Sequence, residues 1–294
     1  TINTNAGAAC QITIPNYVLL LSPEDNCTAQ ADIVEAQSIP AGAYPVSGDG
    51  ATLTVTYTAT DGASNTKACT VAITANDARA PAVTCPANTV ISTDAATGCQ
   101  ITIPNYVTSL SPTDNCTASS GITEAQTIPA GPYAVSGHGA TVTVTYTATD
   151  GASPANTKVC TILITVQDNQ LPTITCPASV ILNNTPGQCG TVVSYPTPVA
   201  SDNCQLTGLG HTSGGMSGDF FPVGSTNVTW TATDAAGNTN TCLFNITVAD
   251  IQLPSITCPA QQTRTTDPNT CTAATTYAPV ASDNCMSVAP SVSF

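Results

Sequence analysis

The sequence predicts an all-β protein built from tandem, disulfide-stapled modules that follow one another as an extended rod. Three observations support this prediction: an Asp-Asn-Cys motif recurs four times, other cysteines recur in the same register around it, and long segments alternate threonine with apolar residues. A fixed repeat is typical of a tandem array of one small unit. Alternation with a period of two is the pattern of a half-buried β-strand.

The cysteines define the register of the repeat. Each copy has a Cys-Pro cysteine, a second cysteine, the Asp-Asn-Cys cysteine and a fourth cysteine in a strand-like run. Successive Cys-Pro motifs at Cys85, Cys176 and Cys258 are 91 and 82 residues apart, which is a normal size for a small domain. The register predicts modules at 1–77, 78–168, 169–250 and 251–294. The first lacks its Cys-Pro strand and the last contains only its first half, so we expect a segment of a longer protein.

The strands are predicted in pairs. In the segment 51–61, threonines alternate with apolar residues such as Val55 and Tyr57, and the same run recurs around Val144 and around Trp230. A turn beginning at an aspartate follows each run. A second alternating strand comes next, in which Cys160 shares a face with Ile162. This order predicts hairpins with a cysteine directed inward.

The same alternation predicts part of the disulfide pattern. Cys176 shares a side with Ile174, and Cys242 shares a side with Phe244, so buried bridges are expected for Cys85–Cys160 and Cys176–Cys242. Four cysteines allow three connectivities, and closeness in sequence favours the remaining pairs Cys10–Cys27, Cys99–Cys116, Cys189–Cys204 and Cys271–Cys285. Cys69 and Cys258 have no partner in this scheme. They are expected to pair beyond the sequence, or between chains if the strand around Ile256 of one chain completes the first copy of the next.

Composition indicates an extracellular or cell-surface protein. Fourteen cysteines, four basic residues and eighteen acidic ones give a secreted, disulfide-rich chain with a net charge of −14. That charge repels phosphate backbones and anionic lipid, which argues against nucleic-acid binding. No apolar run approaches the roughly 20 residues of a membrane helix, so membrane insertion is not expected.

One region resembles a known family. The run Phe220-Phe221-Pro222-Val223-Gly224, the strand ending in Trp230-Thr231-Ala232-Thr233-Asp234, and the later Leu253-Pro254-Ser255-Ile256-Thr257-Cys258-Pro259 together resemble the HYR (hyalin repeat) module. The resemblance implies an immunoglobulin-like β-sandwich, used in tandem in extracellular adhesion and matrix proteins. The first two copies depart from it, with Pro40-Ala41-Gly42 and Pro129-Ala130-Gly131 standing near the place of Phe-Pro-Val-Gly.

No catalytic residue is predicted. The only histidines, His138 and His211, lie in Gly/Ser-rich loops without a second histidine at metal-ligand spacing. The sequence contains no nucleophile elbow, phosphate-binding glycine loop or Cys-x-x-Cys motif. A non-enzymatic protein that requires no cofactor is therefore expected.

Calcium is the one ion that the acidic residues suggest. Asp77, Asp168 and Asp250 end successive copies, and the hairpin turns carry the further candidates Asp61, Asp150 and Asp234. Hard cations favour such oxygen ligands. The competing interpretation is that these aspartates only form turns by bonding to their own backbone.

Candidate glycosylation sequons occur at Asn26, Asn115, Asn183, Asn227 and Asn245. Asn227 and Asn245 alternate with core-facing residues in their strands, so both side chains are expected to point outward.

Repetition without a chemical site predicts a structural repeat region of an extracellular fibre, filament or cell-surface stalk. Its partners would be further copies of itself or neighbouring modules of a longer chain, with glycans as a further candidate. The main alternative is an adhesin or a carbohydrate- or protein-binding spacer of a larger secreted protein, and a domain appended to a secreted enzyme comes third.

Overall fold

A computed structural model describes residues 2–5, 9–94, 98–273, 275–276 and 279–285. The chain folds as two compact units. The first holds the described residues of Thr1–Asp94, Gln100–Val135 and Gly139–Gln167, and the second holds those of Ala95–Cys99, Ser136–His138 and Asp168–Phe294.

The first unit contains two copies of one strand pattern. In the first copy the strands are β1 (Ile2–Asn5), β2 (Gln11–Ile14), β3 (Val34–Gln37), β4 (Gly42–Pro45), β5 (Thr52–Thr60) and β6 (Thr66–Asn76). In the second copy they are β7 (Thr89–Ser92), β8 (Gln100–Ile103), β9 (Thr123–Gln126), β10 (Gly131–Ala134), β11 (Thr141–Thr149) and β12 (Thr157–Gln167). Each copy forms a four-stranded sheet, in the order β1-β6-β5-β3 or β7-β12-β11-β9, and a two-stranded sheet, β2-β4 or β8-β10.

Each copy in the first unit also has two short helical turns that the alternation did not predict. They are α1 (Tyr17–Leu20) and α2 (Tyr106–Ser109), followed by 3₁₀ turns at Gln30–Asp32 and Ser119–Gly121. A glutamine from the adjacent strand holds the start of each α-turn: the N–H of Tyr17 donates to Gln37 Oε1 at 2.7 Å, and the N–H of Tyr106 to Gln126 Oε1 at 2.8 Å.

The second unit repeats the pattern a third time and begins it a fourth time. Its strands are β13 (Thr173–Thr175), β14 (Val180–Asn183), β15 (Gly190–Val192), β16 (Val199–Ser201), β17 (Leu206–Ser213), β18 (Phe220–Pro222), β19 (Gly224–Asp234), β20 (Thr239–Ala249), β21 (Ser255–Thr257) and β22 (Val280–Ser282). The main sheet has the order β14-β20-β19-β17, and the pairs β13-β16, β15-β18 and β21-β22 form small sheets. The module boundaries at 77, 168 and 250 stay a prediction.

The core of each copy lies between the larger and the smaller sheet, and alternation fills it. In β12, Cys160, Ile162, Ile164 and Val166 are all buried, as the sequence predicts. They pack in one cluster with Ile101 and Ile103 of β8 and with Val144 and Tyr146 of β11. The intervening threonines face outward, and the result is the predicted all-β, immunoglobulin-like sandwich.

Two of the predicted bridges are present, Cys85–Cys160 and Cys176–Cys242. Their burial was predicted only in part. Cys160 and Cys242 are 1% exposed, whereas Cys85 and Cys176 are exposed. The Cys-Pro segment lies along the rim of the sandwich, so only the strand-borne half of each bridge enters the core.

The prediction of short-range bridges is wrong. Cys10 bonds to Cys116, and Cys99 bonds to Cys204, over sequence separations of 106 and 105 residues. These bonds rule out Cys10–Cys27, Cys99–Cys116 and Cys189–Cys204. Cys271–Cys285 is not formed either: among the described residues, the free cysteines are Cys27, Cys69, Cys189, Cys258, Cys271 and Cys285.

The length of the sandwich explains the error. The Cys10 carbonyl accepts the N–H of Val46, next to the loop where Asp49 accepts the N–H of Asp77. Asp25, two residues before Cys27, lies instead beside Asp61 at the far end of β5. Nine strand residues span about 30 Å, while the Cα atoms of bridged cysteines lie within about 7 Å. Cys10 therefore meets the Asp-Asn-Cys turn of the following copy.

Candidate functional site

Acidic side chains gather into three clusters in the described part of the chain. They are Asp77 with Asp114 and Asp150, Asp168 with Asp202 and Asp234, and Asp250 with Asp283 and Cys285. Within each cluster, one potential ligand atom from every residue lies within 4.8 Å of the others. The first cluster belongs to the first unit, and the other two belong to the second.

Three segments build the first cluster. Asp77 directly follows β6, Asp114 opens the Asp-Asn-Cys turn, and Asp150 directly follows β11. Each carboxylate fixes its own turn: Asp77 Oδ1 accepts the N–H of Arg79 at 3.1 Å, and Asp114 Oδ1 accepts those of Cys116 and Thr117 at 2.9 and 2.8 Å. The turn-forming interpretation from the sequence is thus correct for these residues, and it uses only one oxygen of Asp77 and Asp114.

Asn156 joins two members of the first cluster. Its Nδ2 donates to Asp150 Oδ2 at 2.9 Å and to the Asp77 carbonyl at 3.1 Å, while its N–H donates to Asp150 Oδ1 at 2.8 Å. One side chain therefore fixes the hairpin turn against the end of the preceding copy.

The first cluster is buried and short of hydrogen-bond donors. Asp77 is 2% exposed and Asp150 is 6% exposed. Asp77 Oδ2 and Asp114 Oδ2 are buried oxygens without a hydrogen-bond partner in the described structure. Burial raises the pKa of Asp77, the charges of Asp114 and Asp150 raise it further, and the N–H of Arg79 opposes them.

The second cluster repeats this construction. Asp202 Oδ2 accepts the N–H groups of Cys204 and Gln205 at 2.9 and 3.1 Å, and its Oδ1 is buried without a partner. Asn238 takes the part of Asn156: its Nδ2 donates to Asp234 Oδ2 at 2.8 Å and to the Asp168 carbonyl at 3.2 Å. Asp168 and Asp234 are buried.

The third cluster differs in its ligand set. Asp250 is exposed, and a thiol, Cys285, stands in the place of the third carboxylate. Loss of hydration raises the pKa of Cys285 to about 12, with the neighbouring Cys189 thiol and Asp250 carboxylate adding to the rise. Cys189 and Cys285 thus lie side by side, in the relation that Cys10 has to Cys116.

The sequence prediction of acidic sites was incomplete. It named Asp77, Asp150, Asp168, Asp234 and Asp250, which the structure places in the three clusters, but it missed Asp114, Asp202 and Asp283. Those three begin the Asp-Asn-Cys motifs, so the motif itself was the available signal. Asp61, also predicted, is in none of these clusters; hydrogen bonds from Asn65 lower its pKa, and that carboxylate holds its own turn.

The two histidines have structural contacts. His138 Nδ1 accepts the N–H of Asp168 at 3.1 Å, the role that Asp49 plays for Asp77. His211 packs edge-on against Trp230, with ring centroids 5.6 Å apart.

The sequons differ in accessibility. Asn26, Asn183 and Asn227 are exposed, whereas Asn115 and Asn245 are half-buried. Asn227 and Asn245 face each other across β19 and β20, and Asn245 Nδ2 donates to Asn227 Oδ1 at 2.9 Å. Glycosylation at any of them stays a prediction.

The first copy has an open groove where the second copy is covered. A cavity of about 400 Å³ is lined by residues that include Asp25, Tyr57, Asp61 and Cys69. Cys69 is exposed, although the equivalent Cys160 is buried beneath its bridge to Cys85. A Cys-Pro segment thus fills this position in the second copy.

None of the helices in the described part of the chain has the length and apolar character that crossing a membrane requires.

Comparisons with known proteins identify the repeat. Residues 167–248 match the HYR domain family. Hyalin from Strongylocentrotus purpuratus is 29% identical over 289 residues, which is 95% of this chain and 23% of that protein. Hyalin from Lytechinus variegatus is 37% identical over 144 residues, 48% of this chain and 27% of that protein. The chain therefore spans about a quarter of the length of the hyalins it matches.

Further matches are more distant. The sushi, von Willebrand factor type A, EGF and pentraxin domain-containing protein 1 from Rattus norvegicus is 33% identical over 91 residues, 31% of this chain and 3% of that protein. Among solved structures, the extracellular cadherin domains 1–4 of protocadherin gamma B7 align with a TM-score of 0.30 at 15% identity, covering 73% of this chain and 62% of that one.

Proposed function

We propose that this HYR-domain protein is a non-enzymatic structural repeat region of an extracellular, adhesion-type protein, and that it carries tension along a fibre or stalk. The supporting observation is the interlacing of its disulfides. Cys10–Cys116 and Cys99–Cys204 tie each copy to the Asp-Asn-Cys turn of the next, while Cys85–Cys160 and Cys176–Cys242 close loops within copies.

Interlaced bridges limit how far the chain can be stretched. The backbone from Cys10 to Cys242 has 232 residues. With the bridges closed, the shortest covalent path uses 17 residues from Cys116 back to Cys99 and 28 from Cys204 back to Cys176. At roughly 3.5 Å per extended residue, that is about 160 Å instead of about 810 Å. A stalk with this covalent pattern stays short even when its modules unfold.

Single-molecule pulling of the full chain tests the proposal. The fully extended oxidised chain should be about 650 Å shorter than the reduced chain, because the bridges conceal 187 residues, at roughly 3.5 Å each. The control is a variant with serine at Cys10, Cys116, Cys99 and Cys204, which keeps only the bridges within copies. Its shortest path has 75 residues from Cys10 to Cys85 and 16 from Cys160 to Cys176, so its length should be intermediate. Equal lengths for oxidised and reduced chains would refute the tension-bearing role.

A further inference from the structure

We propose that Asp77, Asp114 and Asp150 bind one divalent cation of the calcium class, and that Asp168, Asp202 and Asp234 bind a second. This binding activity goes beyond the proposed tension-bearing function. It rests on the carboxylates and not on the disulfides.

The distances in the first cluster fit a shared ion. Calcium binds oxygen ligands at about 2.3–2.6 Å, so two oxygens on one ion lie at most about 5 Å apart. One ligand atom from each of the three aspartates meets that limit, since all three lie within 4.8 Å of one another. The three carboxylates come from a strand end, an Asp-Asn-Cys turn and a hairpin turn, and each is already fixed by hydrogen bonds before an ion arrives.

The unpartnered oxygens point to a ligand independently of the clustering. Asp77 is 98% buried, and its Oδ2 has no donor. Asp114 Oδ2 is also buried and lacks a donor, although the Oδ1 atoms of both residues hold backbone N–H groups. Buried polar atoms are almost always satisfied, and an unmet one calls for a specific explanation such as a bound ion.

A cation satisfies this site better than a proton does. One proton shared between Asp77 and Asp114 would meet one contact and leave the charge of Asp150 facing them. The raised pKa of Asp77 reflects the repulsion within this buried group. A divalent cation compensates all three carboxylates at once, because opposite charge within about 4–6 Å favours the ionised form.

The ligand chemistry selects calcium over other divalent ions. The ligands are carboxylate oxygens, which hard cations prefer, and there is no thiol or imidazole among the three. Three ligands from irregular turns leave room for water. Calcium accepts six to eight oxygens in flexible geometry, whereas magnesium requires a near-ideal octahedron.

The third cluster provides a contrast within the same chain. Asp250 is exposed and Cys285 replaces the third carboxylate, so the cluster lacks both the burial and the oxygen set of the other two. The expected stoichiometry is therefore two ions per chain and not three.

Calorimetric titration of the oxidised, chelator-treated full chain with Ca²⁺ tests the proposal. The wild-type chain should bind two ions, Asp114→Asn should bind one, and the Asp114→Asn, Asp202→Asn double variant should bind none. Asparagine keeps the oxygen that accepts the turn N–H groups, so the fold is retained. A second pair, Asp77→Asn with Asp168→Asn, should abolish binding from the strand side, which separates loss of ligands from a disturbed turn.

The matched control is Asp25→Asn. Asp25 holds the same Asp-Asn-Cys turn, with Oδ1 accepting the N–H groups of Cys27 and Thr28 at 2.8 and 2.7 Å, but it belongs to none of the three clusters. Its variant should still bind two ions. No uptake by the wild-type chain, or two ions retained in either double variant, would overturn the proposal. Neither result would change the pulling lengths, so the two proposals can fail separately.

Discussion

Single aspartates in this chain have two roles because a carboxylate has two oxygens. In Asp77 and Asp114, one oxygen closes the local turn and the other is buried without a donor. Asp61 shows the alternative, since its Oδ1 accepts the N–H groups of Ala63 and Asn65 and its Oδ2 accepts Asn65 Nδ2. Local turn chemistry is the same in both cases. What differs is whether a second segment brings further carboxylates to the free oxygen.

Replacing Asp77 with asparagine should raise stability in chelator and remove the stabilisation by calcium. The folded-state pKa of Asp77 is raised by burial and by Asp114 and Asp150, and Asp49 lies close by through its bond to the Asp77 N–H. A raised carboxyl pKa means that stability falls as pH rises through it, because the unfolded chain releases the proton first. Thermal melts in chelator should therefore show the wild type, but not Asp77→Asn, losing stability between about pH 4 and pH 7.

Asp61→Asn is the opposite case and serves as the control. The pKa of Asp61 is lowered by its hydrogen bonds from Asn65, so the contribution of this carboxylate is present above its ordinary pKa and is lost as pH falls through the folded value. This variant should be less stable than the wild type at pH 7, with or without calcium. The residue-scale account fails if the two variants shift the melting temperature in chelator in the same direction.

At the scale of strands and turns, sequence alternation predicted the hairpins and their core faces. Threonine alternating with Val55 and Tyr57 became β5, and the face of β12 that carries Ile162 and Ile164 is buried. Alternation specifies which side of a strand is apolar, so it also predicted that Cys160 and Cys242 would enter the core. It contains no information about which end of a sandwich a loop occupies. For that reason Cys10 was paired with Cys27, its neighbour in sequence, and not with Cys116.

The same limit explains the three missed aspartates. The Asp-Asn-Cys turn meets the end of the preceding copy only in the folded array, and a sequence window around Asp114 does not contain Asp77 or Asp150. The helical turns α1 and α2 were missed for another reason. Each has four residues, and a glutamine side chain from a neighbouring strand holds its first N–H, so tertiary contacts and not local propensity fix it.

Thiol labelling distinguishes the structural pairing from the sequence-based one. In Cys116→Ser, Cys10 should become a free thiol, whereas in Cys27→Ser it should stay oxidised. In the chain-entropy model, closing a loop of about 100 residues contributes about 4–5 kcal/mol. Loss of Cys10–Cys116 should therefore lower the free energy of unfolding by several kcal/mol, and Cys27→Ser should have little effect. A free Cys10 in the Cys27 variant would contradict this pairing.

At the scale of the whole molecule, the bridges follow one rule: the second cysteine of a copy bonds to the Asp-Asn-Cys cysteine of the next. Cys10–Cys116 and Cys99–Cys204 obey it, and the adjacent Cys189 and Cys285 thiols stand in the same relation. We expect Cys189–Cys285 to be a bridge in the secreted protein. Peptide mapping without reduction should recover that pair, and alkylation of both thiols in native, unreduced material would contradict the rule.

The rule also assigns partners to the four cysteines that remain. Cys27 requires a second-type cysteine from a preceding copy, and Cys271 requires an Asp-Asn-Cys cysteine from a following one. Cys69, exposed in the groove of the first copy, requires a Cys-Pro cysteine, the type to which Cys258 belongs. These partners come from adjoining sequence or from another copy of this chain, in which case a strand around Ile256 fills the groove by β-augmentation.

Crosslink mapping of native material tests this assignment of partner types. If copies of this chain meet head to tail, we expect intermolecular Cys27–Cys271 and Cys69–Cys258 bridges, together with a series of multimers on non-reducing gels that collapses on reduction. If adjoining modules supply the partners, the same types of cysteine should be found in one continuous chain. In both cases Cys69 bonds to a cysteine followed by proline, and Cys27 does not. A Cys27–Cys258 or Cys69–Cys271 peptide would break the register, because it would join a strand cysteine to a loop cysteine about one strand length, roughly 30 Å, from its place in the other copies.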